Sequence, residues 1–156
     1  MKKIVVISDT HGNMSALEQL DGIFDESDCI IHLGDTSGDG AKIAKKYPDK
    51  TFLLNGNSDF IHCGENEITL EIEKVKIFAT HGHYYSVKNT LSKLAKHAKE
   101  LRCQLALYGH THSAGEEFID GVALINPGTL SRYSKQSYCY IVLNNGKAVV
   151  KIVYLN

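Results

Sequence analysis

Residues Lys3–Gly12 read KIVVISDTHG, a continuous β-branched run followed at once by polar residues and a glycine. A short run that is apolar at every position predicts a strand buried on both faces, as in the parallel sheets of α/β proteins. Asn13, next in the chain, is a typical helix N-cap. Apolar residues then recur at roughly helical spacing, at Met14, Leu17 and Phe24. The chain therefore opens with a buried strand, a polar turn and a helix.

The alternation of strands and helices continues for two thirds of the chain. The pattern predicts strands at Cys29–Leu33, Thr51–Leu54 and Gln104–Tyr108, a hairpin at Ile68–Ile72 and Val75–Ala79, and helices at Ala41–Tyr47 and Ser86–Arg102. The last third instead predicts an antiparallel meander around two dipeptides that favour tight turns, Asp120-Gly121 and Asn145-Gly146. We expect a single domain, residues 1–156, of the α/β class.

The composition excludes several classes of protein. The 156 residues include 17 basic and 18 acidic residues, so a net charge of -1 indicates neither a nucleic-acid partner nor an anionic membrane. No apolar run approaches the roughly 18 residues of a membrane span, and the first strand is shorter than the apolar region of a signal peptide, about 7–15 residues. Cys29, Cys63, Cys103 and Cys139 form no C-x-x-C pair, which favours reduced thiols. We expect a cytoplasmic protein and leave a homo-oligomer open.

Polar clusters follow five of the predicted strands, each with a glycine inside it or beside it. Because ligands bind outside the carboxyl ends of the strands in open α/β sheets, we expect these clusters to converge on one rim. Their nitrogen and oxygen donors suit divalent ions such as Mn²⁺, Fe²⁺, Ni²⁺ or Zn²⁺, and their number fits two ions that share a carboxylate. The candidate ligands are Asp9, His11, Asp35, Asn57, His81, His110 and His112.

The order of the clusters, D-x-H, G-D, G-N-S-D, H and G-H-x-H, resembles that of the calcineurin-like metallophosphoesterases. Residues 126–129, NPGT, are similar to a turn of the small, YfcE-like phosphodiesterase branch of that family. The resemblance implies a two-sheet β-sandwich flanked by helices, a four-layer architecture. It also implies one metal site at Asp9, His11, Asp35 and His112, and a second at Asp35, Asn57, His81 and His110, bridged by Asp35.

The chemistry expected of such a site is phosphoester hydrolysis with two metal ions as cofactors, Mn²⁺ being the first candidate. Two ions about 3.5–4 Å apart lower the pKa of a bridging water, and the resulting hydroxide attacks phosphorus in line. We expect catalytic roles for Asp35 and for Asn57, whose amide can also donate to a phosphoryl oxygen. Ser58, His83 and Arg132 are the predicted substrate contacts.

Ser58 occupies the position where many family members have a histidine close to the leaving group. A hydroxyl cannot supply a proton near neutral pH as an imidazole can. Absence of the histidine should slow the hydrolysis of monoesters most, because they release a poor alkoxide leaving group. Diesters with stable leaving groups depend less on a proton donor. We therefore expect a small-molecule phosphodiesterase rather than a broad monoesterase.

A non-catalytic scaffold is the second interpretation. The retromer subunit built on this fold is of similar size and acts through protein–protein contacts, but its ligand set is degraded. Here all seven predicted positions carry competent ligands, which favours the enzyme.

Two further histidines are assigned structural roles. His32 lies within a predicted buried strand and is expected to be a hydrogen-bonded core residue. His97 lies among the lysines of the predicted long helix and is expected to face solvent.

Overall fold

The computed structural model describes residues 1–62 and 64–156, which form two five-stranded sheets with helices on their outer faces. The four-layer sandwich confirms the fold predicted from the sequence. The strands are β1 (Lys2–Ile7), β2 (Cys29–His32), β3 (Thr51–Leu53), β4 (Glu67–Ile72), β5 (Val75–Thr80), β6 (Leu105–Leu107), β7 (Gly115–Ile119), β8 (Val122–Asn126), β9 (Ser137–Asn144) and β10 (Lys147–Tyr154). The helices are α1 (Met14–Gln19), α2 (Asp21–Glu26), α3 (Asp39–Lys46) and α4 (Ser92–Glu100), with a 3₁₀ helix at His83–Tyr85.

Both sheets contain parallel and antiparallel strands. In the first sheet, with strand order β10-β9-β1-β2-β3, strands β1, β2 and β3 run parallel. In the second, with strand order β4-β5-β6-β8-β7, strands β5, β6 and β8 run parallel. The polar clusters of the sequence follow β1, β2, β3, β5 and β6, so all of them leave the carboxyl ends of parallel strands.

Strand β1 lies between two apolar layers, which explains its continuous apolar sequence. Ile4 and Val6 pack in the core between the two sheets. Val5 and Ile7 point the other way and pack with Phe24 and the other apolar residues of α1 and α2. These four side chains are fully buried, and burial of a side chain of this size stabilises the fold by about 1.5–3 kcal/mol. Helix α4 covers the outer face of the second sheet in the same way.

The helix expected over Ser86–Arg102 is shorter than predicted, because α4 begins only at Ser92. Ser86 has a φ of +54°, which an α-helix cannot accommodate. The Ser92 N–H instead donates to Thr90 Oγ1 at 3.2 Å, in a turn that precedes the helix. Leu94, Ala95 and Ala98 of α4 are buried at helical spacing, but the first turn of the helix could not be placed from spacing alone.

The first helical segment is also divided. Asn13 is the N-cap, as predicted, and its Oδ1 accepts the Ala16 N–H. Helix α1 ends at Gln19, and α2 begins two residues later. The helical spacing of Leu17 and Phe24 is real, since both pack on the first sheet, but it spans two short helices.

The expectation of one antiparallel meander in the last third is wrong. Both hairpins form, β7 with β8 and β9 with β10. They belong to different sheets, because β8 pairs in parallel with β6 whereas β9 pairs antiparallel with β1. Local turn signals predicted each hairpin, but they carry no information on which sheet it joins.

His97 does not face solvent freely: its ring centroid lies 5.0 Å from that of Phe78, and its side chain is 34% exposed. Cys29, Cys103 and Cys139 are buried and free, and Cys63 lies outside the described residues. No helix in the described parts of the chain is long and apolar enough to span a membrane.

Candidate metal centre

The loops that carry the predicted ligands meet at one rim shared by both sheets. Within the first sheet, the Asp9 N–H donates to Gly34 O at 2.9 Å, which joins the loops after β1 and β2. Within the second, the Gly109 N–H donates to His81 O at 2.9 Å, which joins the loops after β6 and β5. The side chains of these loops form two groups of potential metal ligands.

The first group contains Asp9, His11 and His112, whose ligand atoms all lie within 4.8 Å of one another. Asp9 Oδ1 lies 3.1 Å from His112 Nε2 and 3.8 Å from His11 Nε2. Asp9 is fully buried at the floor of the group, while the two imidazoles lie at the surface. A carboxylate and two imidazoles in this arrangement suit a divalent transition-metal ion.

The second group contains Asp35, His81 and His110, again within 4.8 Å of one another. Asp35 Oδ2 lies 3.4 Å from His81 Nε2, and Asn57 Oδ1 lies 2.9 Å from the same nitrogen. The His81 Nδ1–H donates to Leu33 O at 2.9 Å. Because a carbonyl only accepts, this bond fixes the proton on Nδ1 and leaves Nε2 as the nitrogen available to a metal.

Asp35 lies between the two groups. Its Oδ2 atom is 3.8 Å from His11 Nε2 in the first group and 3.4 Å from His81 Nε2 in the second. Its other oxygen, Oδ1, accepts the Ser58 N–H at 2.9 Å, which fixes the orientation of the carboxylate. One carboxylate therefore faces both sets of imidazoles.

The donor set fits divalent ions, and one buried atom supports this fit independently. Asp9 Oδ1 is buried, and among the described residues no group donates a well-oriented hydrogen bond to it. Asp9 Oδ2, in contrast, accepts from Ser8 Oγ at 2.5 Å and from the His110 N–H at 3.0 Å. A buried carboxylate oxygen without a donor is costly unless a cation satisfies it. Its imidazole neighbours point to a metal ion.

The backbone of the rim adopts conformations that are uncommon away from glycine. Five of the seven predicted ligands have positive φ, which costs of order 1–3 kcal/mol per residue unless the surroundings fix it. These residues are Asp9 (+53°), His11 (+45°), Asp35 (+59°), His110 (+71°) and His112 (+61°).

Two glycines are required by close packing rather than by φ. A Cβ atom on Gly56 would overlap Asp35 Oδ1, and one on Gly109 would overlap Ser8 Oγ. Both glycines therefore let a loop backbone pass directly against a buried polar side chain of the rim.

The charges of the rim favour ionised carboxylates. Burial alone would raise the pKa of Asp9 and of Asp35, but nearby His112 and His81 outweigh it and hold both values below the usual range. In return, these carboxylates raise the pKa of His112, and that of His81 despite its burial. Burial and the charge of His81 lower the pKa of His110. The rim thus combines ionised carboxylates with imidazoles, and a cation that binds there would compete with protons for the imidazole nitrogens.

A buried hydrogen-bond network supports the first group from below. The Gly34 N–H donates to His32 Nδ1, so the His32 Nε2–H donates to Thr10 Oγ1 at 3.0 Å. The Thr10 hydroxyl donates in turn to Asp39 Oδ1 at 2.8 Å, and Asp39 Oδ2 accepts the Gly12 N–H at 3.0 Å. Burial lowers the pKa of His32 to about 4, which keeps it neutral. His32 is therefore a hydrogen-bonded core residue, as predicted, and it helps to hold the turn that carries His11.

Asp59 ties the loops after β2 and β3 together, a role that the sequence motif does not indicate. Its carboxylate accepts the N–H groups of Asp35 (2.9 Å), Thr36 (2.8 Å) and Gly56 (2.7 Å). Asp39 was missed for a similar reason. Each acts through hydrogen-bond donors contributed by another part of the rim, and only the folded arrangement reveals those partners.

The predicted substrate contacts differ in position. Ser58 is exposed beside Asp35, to which its backbone donates. His83 is half-buried in the 3₁₀ helix, with its ring centroid 5.4 Å from that of His81, and its Nδ1 is buried without a hydrogen-bond partner among the described residues. Arg132 is exposed and lines a separate groove beside α1 with Asn13. The structure thus places Ser58 beside Asp35 and His83 beside His81, whereas Arg132 lines the groove beside α1.

Comparisons with known proteins agree with this geometry. A model of the calcineurin-like phosphoesterase superfamily domain matches residues 1–147. The probable metallophosphoesterase YsnB of Bacillus subtilis is 32% identical over 154 residues, which cover 95% of this chain and 88% of YsnB. Phosphodiesterase YfcE of Escherichia coli strain K12 is 27% identical over 155 residues, which cover 84% and 80% of the two chains.

Solved structures share the fold. A predicted phosphoesterase from Streptococcus pneumoniae superposes with a TM-score of 0.83 and 24% identity over 98% of this chain and 89% of its own. Vps29 of Entamoeba histolytica, crystallised with Zn²⁺, gives a TM-score of 0.78 and 19% identity over 99% of both chains. At these identities the two structures establish the architecture and nothing more specific.

Proposed function

The chain belongs to the calcineurin-like phosphoesterase superfamily, and we propose that it is a phosphodiesterase with a binuclear metal centre. The observation that carries this proposal is the position of Asp35, whose Oδ2 faces His11 of one ligand group and His81 of the other. A carboxylate so placed suits a bridge between two ions. Relatives named as phosphodiesterases support the choice of reaction.

We assign the ligands on the distances and the unpartnered Asp9 oxygen described above. When bound, the two ions would act as Lewis acids on phosphoryl oxygens and lower the pKa of a coordinated water. Mn²⁺ is the first ion to test. One ion would be held by Asp9, His11, Asp35 and His112, and the other by Asp35, Asn57, His81 and His110.

The chain itself orients the substrate and keeps its ligands in the correct charge state. Asn57 presents Oδ1 towards His81, which leaves its amide N–H groups to donate to a phosphoryl oxygen. The low pKa of Asp35 keeps that carboxylate ionised near neutral pH. Asp59 holds the loops of Asp35 and Asn57 in register through its three backbone N–H partners.

Ser58 favours diesters as substrates. Its hydroxyl is exposed at the edge of the centre and can donate a hydrogen bond, but it cannot protonate a poor leaving group near neutral pH. Diesters that release a stable anion, such as a phenolate, need no such proton. We propose that the substrate is a small-molecule phosphodiester.

Hydrolysis of bis-p-nitrophenyl phosphate and of p-nitrophenyl phosphate by chelator-treated protein, with and without Mn²⁺, tests the function. We expect Mn²⁺ to restore diester cleavage with little monoester cleavage. The Ser58→His variant should raise the rate on an alkyl phosphomonoester such as glycerol 2-phosphate, relative to bis-p-nitrophenyl phosphate, by about tenfold or more, since a general acid typically contributes about 10²–10⁴-fold to the release of a poor leaving group. Equal rates on the alkyl monoester and the diester in the unaltered protein, or an unchanged ratio in the variant, would refute the role given to Ser58.

A protein-binding scaffold is the second candidate, favoured only by the fold shared with Vps29. Absence of activity with every divalent ion would support it and would lead to a search for a protein partner. We further propose a cytoplasmic protein that acts as one domain, residues 1–156, and we leave a homo-oligomer to direct measurement.

A further inference from the structure

A cavity of about 400 Å³ opens beside the candidate metal centre. One wall is formed by Thr36 and Gly38, between β2 and α3, and by Ala41 in the first turn of α3. The other wall is the loop after β3, with Ser58, Phe60 and Ile61. The volume falls within the range of about 300–1,000 Å³ typical of small-molecule sites.

The cavity is joined to the metal centre through its own walls. Ser58 lines it and also donates its N–H to Asp35 Oδ1 at 2.9 Å. Thr36 lines it and donates its N–H to Asp59 Oδ1 at 2.8 Å. The distance between the cavity and the proposed bridging carboxylate is therefore fixed by hydrogen bonds, so a group attached to the reacting phosphate has a defined place to bind.

The cavity suits an uncharged, apolar group. Among the described residues that line it, none is lysine, arginine or histidine, and the one charged residue, Asp59, has its carboxylate committed to three backbone N–H groups. Phe60 is fully exposed and Ile61 is 78% exposed, whereas Phe24 and Phe78 of the core are buried. An exposed aromatic ring beside the candidate metal centre can bury its apolar face by stacking on a ring of the substrate.

We propose that this cavity receives an aromatic group esterified to the phosphate, with Phe60 as the residue that selects it. This inference rests on the proposed function and narrows the substrate to phosphodiesters that carry an aromatic group. Phe60 raises the affinity of the protein for the aromatic group of the substrate and takes no part in the chemistry at phosphorus.

Binding of non-hydrolysable phosphonates to the Mn²⁺-loaded protein, measured by titration calorimetry, tests the inference without relying on turnover. Phenylphosphonate should bind about tenfold more tightly than methylphosphonate, which reaches only the metal centre. Cyclohexylphosphonate, similar in size but not planar, should fall between them. Phe60→Ala should abolish the preference for phenylphosphonate and leave methylphosphonate binding unchanged. Phe118→Ala is the matched control, since Phe118 is also exposed but lies on β7.

The outcomes separate the two proposals. Equal binding of phenyl- and methylphosphonate, or a preference for phenylphosphonate that survives in Phe60→Ala, would overturn the inference. Either result would leave the proposal of a metal centre standing. Equal binding of phenyl- and cyclohexylphosphonate would overturn the aromatic selectivity. Binding of neither phosphonate to the metal-loaded protein would overturn the proposed function and the inference with it.

Discussion

The rim that carries the candidate metal ligands and the β7–β8 turn both contain residues at positive φ, but for different reasons. In the turn, Asp120 (+49°) and Gly121 (+85°) adopt it because a two-residue hairpin requires it. At the rim, His11 (+45°) and His110 (+71°) adopt it while their N–H groups donate to Asp35 O and to Asp9 Oδ2. The turn conformation is thus local, whereas the rim conformation is imposed by contacts between distant loops. Changes at the rim should therefore propagate much further than changes at the turn.

The largest effect is expected from Asp35→Asn. The variant keeps the shape of the side chain but removes the charge that faces both ligand groups. Replacement of a residue that only supports a metal ligand typically lowers metal affinity or activity by about 10–100-fold. Replacement of a shared ligand should therefore lower the rate of diester hydrolysis by more than about 100-fold. Metal content after dialysis, measured per chain by elemental analysis, should fall in parallel.

Asp28→Asn is the matched control for this variant. Asp28 is a carboxylate that accepts the Lys3 N–H at 2.8 Å, away from the rim. Its replacement should leave metal content and activity unchanged. An Asp35→Asn protein that still binds two ions and remains active would show that Asp35 does not bridge them.

The buried network below the rim predicts a pH dependence of stability. The pKa of His32 falls from about 6.5 in the unfolded chain to about 4 in the folded protein, because burial disfavours the charged form. The unfolded chain therefore binds more protons between these values, and the stability that neutral His32 provides is fully present above pH 6.5 and is lost as the pH falls towards 4. Between pH 7 and pH 5 the contribution of His32 to the free energy of unfolding should fall by about 2 kcal/mol, at about 1.4 kcal/mol per pKa unit.

His32→Leu isolates this contribution, since leucine cannot be protonated. The free energy of unfolding of the metal-free proteins, measured with urea, should fall from pH 7 to pH 5 in both. The fall should be about 2 kcal/mol smaller in the variant. The variant is expected to be less stable at pH 7, because Thr10 and the Gly34 N–H lose a buried partner. An equal pH slope in both proteins would mean that His32 is not the group that titrates.

The sequence predicted what depends on local pattern and on known motif order. The buried strand β1, the Asn13 cap and the hairpins at Asp120-Gly121 and Asn145-Gly146 all follow from neighbouring residues, and the structure confirms them. The loops that carry the predicted ligands converge because parallel strands share one carboxyl edge.

The rest depends on pairs of residues that are distant in the chain. The Asp59 carboxylate binds backbone groups 23 and 24 residues away, and His32 contacts Thr10 across 22 positions. The start of α4 was missed because the positive φ of Ser86 leaves no mark in an apolar periodicity. The Phe60 cavity exists only where two loops meet, so no spacing in one loop could reveal it.

The smallest effect is expected at the β7–β8 turn, with Gly121→Ala. Nothing lies within 4 Å of a Cβ atom built there, so the cost is only that of an alanine at positive φ, about 1 kcal/mol. Urea unfolding should record that loss, while metal content and diester hydrolysis stay unchanged. The matched variant is Gly109→Ala at the rim, where the new Cβ would overlap Ser8 Oγ and approach Asp9 Oδ2 to 2.8 Å. Gly109→Ala should therefore lose metal as well as stability, and equal behaviour of the two variants would contradict the distinction between a rim packed from distant loops and a turn whose structure is local.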